Sequence, residues 1–201
     1  MSVSDITLDR AESGKEESAD KRFSRLAAAA DKFEAYDEPH AIRIASIADE
    51  LAKRFHLGRD DRAVLRAAAL AHDWGEMSMK REYIRRADRL SDEERRDLSR
   101  HPVIGESEAA RLGLERGAQL IVRWHHEWWN GSGYPDALRG EEIPLAARIL
   151  RVADSYAALT AARPFRAAMA PDAARDTLAD WAGLEFDPHV VHLFLALEPT
   201  L

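Results

Sequence analysis

The sequence contains no cysteine. Disulfides, thiolate metal sites and a cysteine nucleophile are thereby excluded, and any metal must be held by histidine and carboxylate. No run approaches the roughly 18 apolar residues of a membrane span. The opening MSVSDITLDRAESGKEESADK lacks the apolar middle region of a secretory signal. These absences predict a cytoplasmic chain that makes no use of a membrane. Positive charge is in deficit: the formal net charge is -7 at pH 7, which argues against a broad DNA or RNA surface but permits a local basic pocket for a small anion. Alternating strand patterns, internal repeats and low-complexity segments beyond alanine-rich helices are also missing.

What remains is 201 residues, 46% hydrophobic and 32% charged, enough for one domain with a substantial core. Residues 1–18 are polar and without apolar period and read as a disordered leader, leaving residues 19–201 as a single domain. The pattern there is helical almost throughout, so the expected class is all-α. KRFSRLAAAADKFEAY predicts a first helix. Asp37 before Pro39 is expected to cap a second that ends near Gly58, and a third runs from about Asp60 to Trp74. SDEERRDLSR opens another that His101 and Pro102 interrupt. Further helices are expected over Gly117 to Glu127 and Pro144 to Ala161, with two more in the tail, the last capped by Asp187.

The histidines fall on faces that should turn inward. His40 lies one turn upstream of the stripe Ile44, Ile47, Ala48 and Leu51. Leu65, Ala68 and Ala69 lead to His72 at the same spacing, and Asp73 follows it. Asp154 falls one turn after Leu150 in the apolar stretch RILRVADSYAAL. Buried carboxylates are expensive without partners or a cation. His40, His72, Asp73, His101, His125, His126 and Asp154 occupy five separate segments, and their convergence would form a sulfur-free site suited to Fe(II) or Mn(II), with Zn or Ni also compatible. Adjacent helical residues point about 100° apart, so His125 and His126 can serve one centre only where a helix ends. The glycine loop after them provides that end. His189, His192 and His56 read as solvated or helix-end residues, and Trp124, Trp128 and Trp129 either stack on a base or pack in the core.

The order of His40, AHDWG, HPVIG, HHEWWNGSGYP and ARILRVADSYAALTAARPFR resembles the HD-GYP subgroup of HD-domain metal-dependent phosphohydrolases, from about His40 to Arg166, and LEFDPHVV is similar to the stretch that closes that domain. The resemblance implies an HD-domain helical bundle with additional C-terminal helices, and a phosphodiesterase that hydrolyses cyclic di-GMP to pGpG, with GMP as a further product. It implies two divalent ions bridged by Asp73, one completed by His40, His72 and Asp154, the other by His101, His125 and His126. Asn130, Gly133, Tyr134 and Pro135 would line the substrate mouth, Arg163 and Arg166 would meet phosphate, and Glu127 would support the ligands.

The chain departs from the family pattern at four positions. Glu76 stands where the HDxGK motif has lysine, Tyr36 where members with a third metal carry glutamate, Ala157 where DALT begins with aspartate, and Asn130 where aspartate precedes the glycine. A phenol is a poor substitute for a carboxylate ligand, so two ions are expected rather than three. Glu76, beside Asp73 in the catalytic set, is expected to repel substrate phosphate, with a general-acid role as the alternative, and Ala157 to accommodate it. A slowed phosphodiesterase follows. Two other readings stay open: a degenerate cyclic di-GMP sensor that docks on a partner such as a GGDEF-type cyclase, and a phosphohydrolase for another nucleotide or cyclic dinucleotide.

Overall fold

A computed structural model describes residues 19–86, 88–163 and 166–197; the expected leader lies outside these residues. Ten α-helices follow in order: α1 (Ala19–Phe33), α2 (His40–Arg54), α3 (Arg59–Ala71), α4 (Trp74–Met79), α5 (Asp92–Leu98), α6 (His101–Arg111), α7 (Arg116–Trp124), α8 (Leu145–Thr160), α9 (Pro171–Asp180) and α10 (Pro188–Leu195). Among the described residues the extended backbone makes only two isolated bridges, Arg163 with Arg166 and Ala182 with Phe186. The all-α class and the helical bundle are as the sequence predicts. No helix among the described residues is long and apolar enough to cross a membrane.

The inward stripes meet as their spacing requires. Ile44, Ile47, Ala48 and Leu51 of α2 are buried with Leu65, Ala68 and Ala69 of α3 and with Ala147, Leu150 and Ala153 of α8. Helix α2 packs on both α3 and α8, and α4, α6 and α7 pack in sequence beside them. Small residues set the closest approaches. A Cβ on Gly75 would lie 2.0 Å from the His101 carbonyl oxygen, so only glycine allows α4 to press against the start of α6.

Three boundaries differ from expectation. Helix α1 stops at Phe33, and Ala35 turns the chain with φ 65°. Asp37 does not cap α2, whose N-cap is Pro39 without a side-chain bond. The Asp31 carboxylate of α1 instead accepts the Ala41 N–H at 3.1 Å, a long-range substitute for a local cap. The expected third helix breaks after Ala71, and α4 resumes at Trp74. Elsewhere the end signals act as read: Ser91 and Glu94 form a capping box at α5, and Asp187 accepts the His189 N–H at 2.8 Å at α10.

Candidate metal centre

The break between α3 and α4 carries His72 and Asp73. Three imidazoles are anchored alike. The Nδ1–H of His72 donates to the Ala69 carbonyl at 2.9 Å, that of His101 to Leu98 at 2.9 Å and that of His125 to Val122 at 2.6 Å. A carbonyl can only accept, so each bond fixes a proton on Nδ1 and turns Nε2 toward the site. The carbonyls belong to helix ends, which explains why these histidines sit where helices begin or stop.

The Nε2 atoms converge on Asp73. His72 Nε2 is 2.7 Å from its Oδ2, whereas His101 Nε2 and His125 Nε2 lie 3.4 and 3.8 Å from its Oδ1. Asp154 Oδ1 stands 3.7 Å from His40 Nε2 and 3.9 Å from His72 Nε2. Two groups of ligand-type atoms result, Asp73 with His101, His125 and His126, and His40 with His72 and Asp154, each spanning no more than 4.8 Å. Buried atoms are left over: His40 Nδ1, His72 Nε2 and Asp73 Oδ1 have no hydrogen-bond partner. Orphaned polar atoms of this kind are costly in a protein interior. Divalent cations bound by nitrogen and oxygen would satisfy the lone pairs, so the donor set fits the metals implied by the sequence.

Burial shapes the charges. It would lower His72, but the close negative charge of Asp73 outweighs it and pushes the imidazole up to about 10, so a metal ion bound there would take the place of the Nε2 proton. His101, desolvated without such close compensation, falls to about 4. Burial would raise the Asp154 carboxyl, yet the nearby imidazoles of His40 and His72 hold it at about 2.

His126 is held differently. Arg151 Nη1 lies 2.8 Å from its Nδ1, and Arg151 also bonds Glu185. A guanidinium is always a donor, so Nδ1 accepts and the neutral ring carries its proton on Nε2. Tyr134 stacks on the same imidazole, ring centroids 4.9 Å apart. The loop is folded around this histidine. Glu127 accepts the N–H groups of Asp136 at 2.6 Å and Leu138 at 3.1 Å, so it clamps the loop and does not support an imidazole directly. A Cβ on Gly133 would lie 2.5 Å from the His126 carbonyl oxygen.

A cavity of about 650 Å³ opens over Asp73, His126 and Asp154, a size suited to a small-molecule ligand. Arg86, Arg151 and Arg163 line it, and so do Glu34 and Glu76. Arg163 Nη2 is 3.3 Å from Glu34 Oε2, and its guanidinium lies 3.9 Å from the centre of the Tyr36 ring. Tyr36 in turn stacks on His40 at 3.7 Å. Burial, then the charge of Asp73, pushes the Glu76 carboxyl well above the usual range. A neutral carboxyl would not repel phosphate and could donate a proton.

The other residues named from the sequence sit around the site without lining the cavity itself. Asn130, Gly133, Tyr134, Pro135 and Arg166 are not among those lining the cavity. Asn130 Oδ1 accepts the Ser132 N–H at 2.9 Å, and Arg166 bonds the Ala158 carbonyl at the end of α8. Ala157 is fully buried in the apolar core, while α8 presents Ser155, Ala158 and Leu159 to the cavity. Its side chain therefore does not face Glu76 across the cavity. His189 and His192 are exposed. Trp124 Nε1 donates to Asp136 at 2.7 Å, and Trp129 packs under Arg148, 5.6 Å from the guanidinium. Sequence reasoning missed Glu34, Arg151, Trp181 and Glu185 as cavity residues. Arg151 had a signal, a charge one turn before Asp154 on an apolar helix; the others reach the cavity only through tertiary packing.

The HD-domain family profile matches residues 16–190. The sequence is 35% identical over 183 residues to the cyclic di-GMP phosphodiesterase response regulator RpfG of Xanthomonas campestris, covering 90% of this chain and 48% of that protein. It is 32% identical over 166 residues to the 3′3′-cGAMP-specific phosphodiesterase 3 of Vibrio cholerae, covering 83% of this chain and 35% of that protein. The chain thus spans less than half the length of these relatives. The solved structure of Bd1817, an HDG"Y"P protein from Bdellovibrio bacteriovorus, is similar in fold, with a TM-score of 0.67 at 18% identity over 96% of this chain and 67% of that one. With the profile match running through the His72–Asp73 doublet and every helix that carries a ligand-type side chain, the chain belongs to the HD-domain family.

Proposed function

We propose that the protein is a metal-dependent phosphodiesterase that opens the ring of a cyclic dinucleotide, with cyclic di-GMP as substrate and pGpG as product. The observation that carries this reading is the pair of histidine and carboxylate groups meeting at Asp73 on the floor of a cavity lined by arginine. The names of the relatives support the substrate class. Asp73, His101, His125 and His126 would hold one divalent ion, and His40, His72 and Asp154 with Asp73 the other, with Fe or Mn suited to nitrogen and oxygen donors. When bound, such ions supply a nucleophile from water near neutral pH and a positive field on the phosphoryl oxygens. Arg151 and Arg163 would orient the phosphate from the cavity wall. Glu76, which lines the same wall, would give its proton to the oxygen that departs as the P–O3′ bond breaks.

A second reading is a cyclic-dinucleotide sensor with a GGDEF-type cyclase as partner. The grip of Arg151 on His126 favours it, because this bond withholds one imidazole from the metal set. A third, a related cyclic dinucleotide as substrate, draws on the relative named for 3′3′-cGAMP. Purified protein loaded with Mn(II) or Fe(II) and incubated with cyclic di-GMP distinguishes them by chromatography. Linear product that depends on metal is expected; tight binding without product would establish the sensor, and turnover of 3′3′-cGAMP alone would establish the third reading.

A further inference from the structure

Trp181 closes α9 and is 42% exposed. Ile42, Val103, Met169 and Leu184 are the other large hydrophobic side chains exposed among the described residues. None of those four lines the cavity, whereas Trp181 does. An indole left in water at the wall of a ligand cavity forgoes burial that the core could have given it. Its position is nonetheless held firmly. The Trp181 carbonyl accepts the N–H groups of Leu184, Glu185 and Phe186 at 3.1, 3.1 and 3.3 Å. The same turn is tied to the histidine loop, since Trp129 N–H donates to Glu185 at 3.0 Å and Asn130 N–H to Leu184 at 2.9 Å. Glu185 also bonds Arg151, which touches His126. The indole and the candidate metal centre are therefore fixed to one frame.

The ring contact leaves room for a ligand. Trp181 meets Trp128 at 84°, ring centroids 5.9 Å apart. In a perpendicular pair either the edge of Trp181 is used or only one of its faces, so at least one face is free of Trp128. Thr177, one turn earlier, and Ser155 and Leu159 of α8 line the same cavity, so a purine stacked on Trp181 would lie in a space that holds polar groups as well.

We infer that Trp181 is the stacking platform for one purine base of the ligand, and so a binding residue beyond those read from the sequence; this rests on the proposed cyclic-dinucleotide reading. Stacking serves every base but not a bare sugar phosphate, which sets the test. Binding of cyclic di-GMP and of ribose 5-phosphate to the full chain is measured by calorimetry for the native protein, Trp181→Ala and Trp181→Phe, with helicity checked by circular dichroism. Trp181→Ala should weaken cyclic di-GMP on the order of tenfold and leave ribose 5-phosphate unchanged, and Trp181→Phe should restore most of the affinity. Equal affinity of native and Trp181→Ala proteins for cyclic di-GMP, or equal loss of both ligands, would overturn the inference. If stacking is found but metal-loaded native protein forms no product, the platform stands and the phosphodiesterase reading fails; if the native protein binds no cyclic di-GMP, both fail.

Discussion

Arg151 donates from Nη1 to Nδ1 of His126 across 2.8 Å, and with its other amino group holds Glu185. One guanidinium thus links α8, the histidine loop and the turn after α9. Its charge also lies 3.7 Å from Asp154, on the border of both groups of ligand-type atoms. Arg151→Met should free His126 and remove a cation from the site, so affinity for the second metal ion should rise by about tenfold, while KM for cyclic di-GMP rises through loss of a phosphate contact. Metal titration followed by calorimetry measures the first effect. A fall in metal affinity would mean that Arg151 orients His126 for the ion instead of competing with it.

Asp73 presents one carboxylate oxygen to His72 and the other to His101 and His125. Asp73→Ala is expected to lose both ions, and Asp154→Ala chiefly one, from a native content of two. A third ion is not expected, because the Glu34 carboxylate is engaged by Arg163 and Tyr36 is stacked between Arg163 and His40. Elemental analysis of dialysed protein decides this; two ions retained by the Asp73 variant, or three in the native chain, would contradict the assignment. The Asp73 variant should also melt earlier, since it buries imidazoles without their counter-charge.

Glu76 faces the cavity with a carboxyl raised by burial and by Asp73. If it acts as the acid, activity requires its protonated form. That form is present below the raised pKa and is lost as pH climbs through it. Glu76→Gln should lower kcat on the order of 10²-fold or more and remove that alkaline decline. Glu76→Lys should lower kcat as well, because an ammonium is a weaker acid than a carboxyl and gives up its proton less readily. An increase in turnover with lysine would restore the repulsive role for the native glutamate.

Gly133→Ala puts a Cβ 2.2 Å from the Trp128 nitrogen and 2.5 Å from the His126 carbonyl oxygen. Both contacts are with backbone, so the loop must move and carry His126 with it. Destabilisation of about 1–3 kcal/mol and a loss of metal binding at the His125–His126 side are expected, read by thermal melting and metal titration. Unchanged values for both would show that the loop tolerates the shift.

Much of the site was legible in the residues themselves. His40, His72 and Asp154 sit on apolar stripes at helical spacing, and burial of those stripes carries the polar group inward whatever the neighbouring helix is. His125 and His126 were readable as a helix end because a glycine-rich loop follows them closely, and glycine favours leaving a helix over extending it. The absence of cysteine limited the donors to nitrogen and oxygen. Local pattern could not assign the neighbours, because those depend on which helices meet. Asp31 replaces Asp37 as the cap of α2 through packing of α1 on α2. The loop named as substrate mouth turns its residues onto His126, since Glu127 draws the backbone of Asp136 and Leu138 inward. Arg151 joins the cavity from α8, Glu34 and Trp181 join it from just past the ends of α1 and α9, and Ala157 faces the core one residue from Ala158, which faces the cavity. Helical periodicity determines which side of a helix is apolar; the rotation of each helix against its partners, fixed only when the core closes, decides which polar side chains share one space.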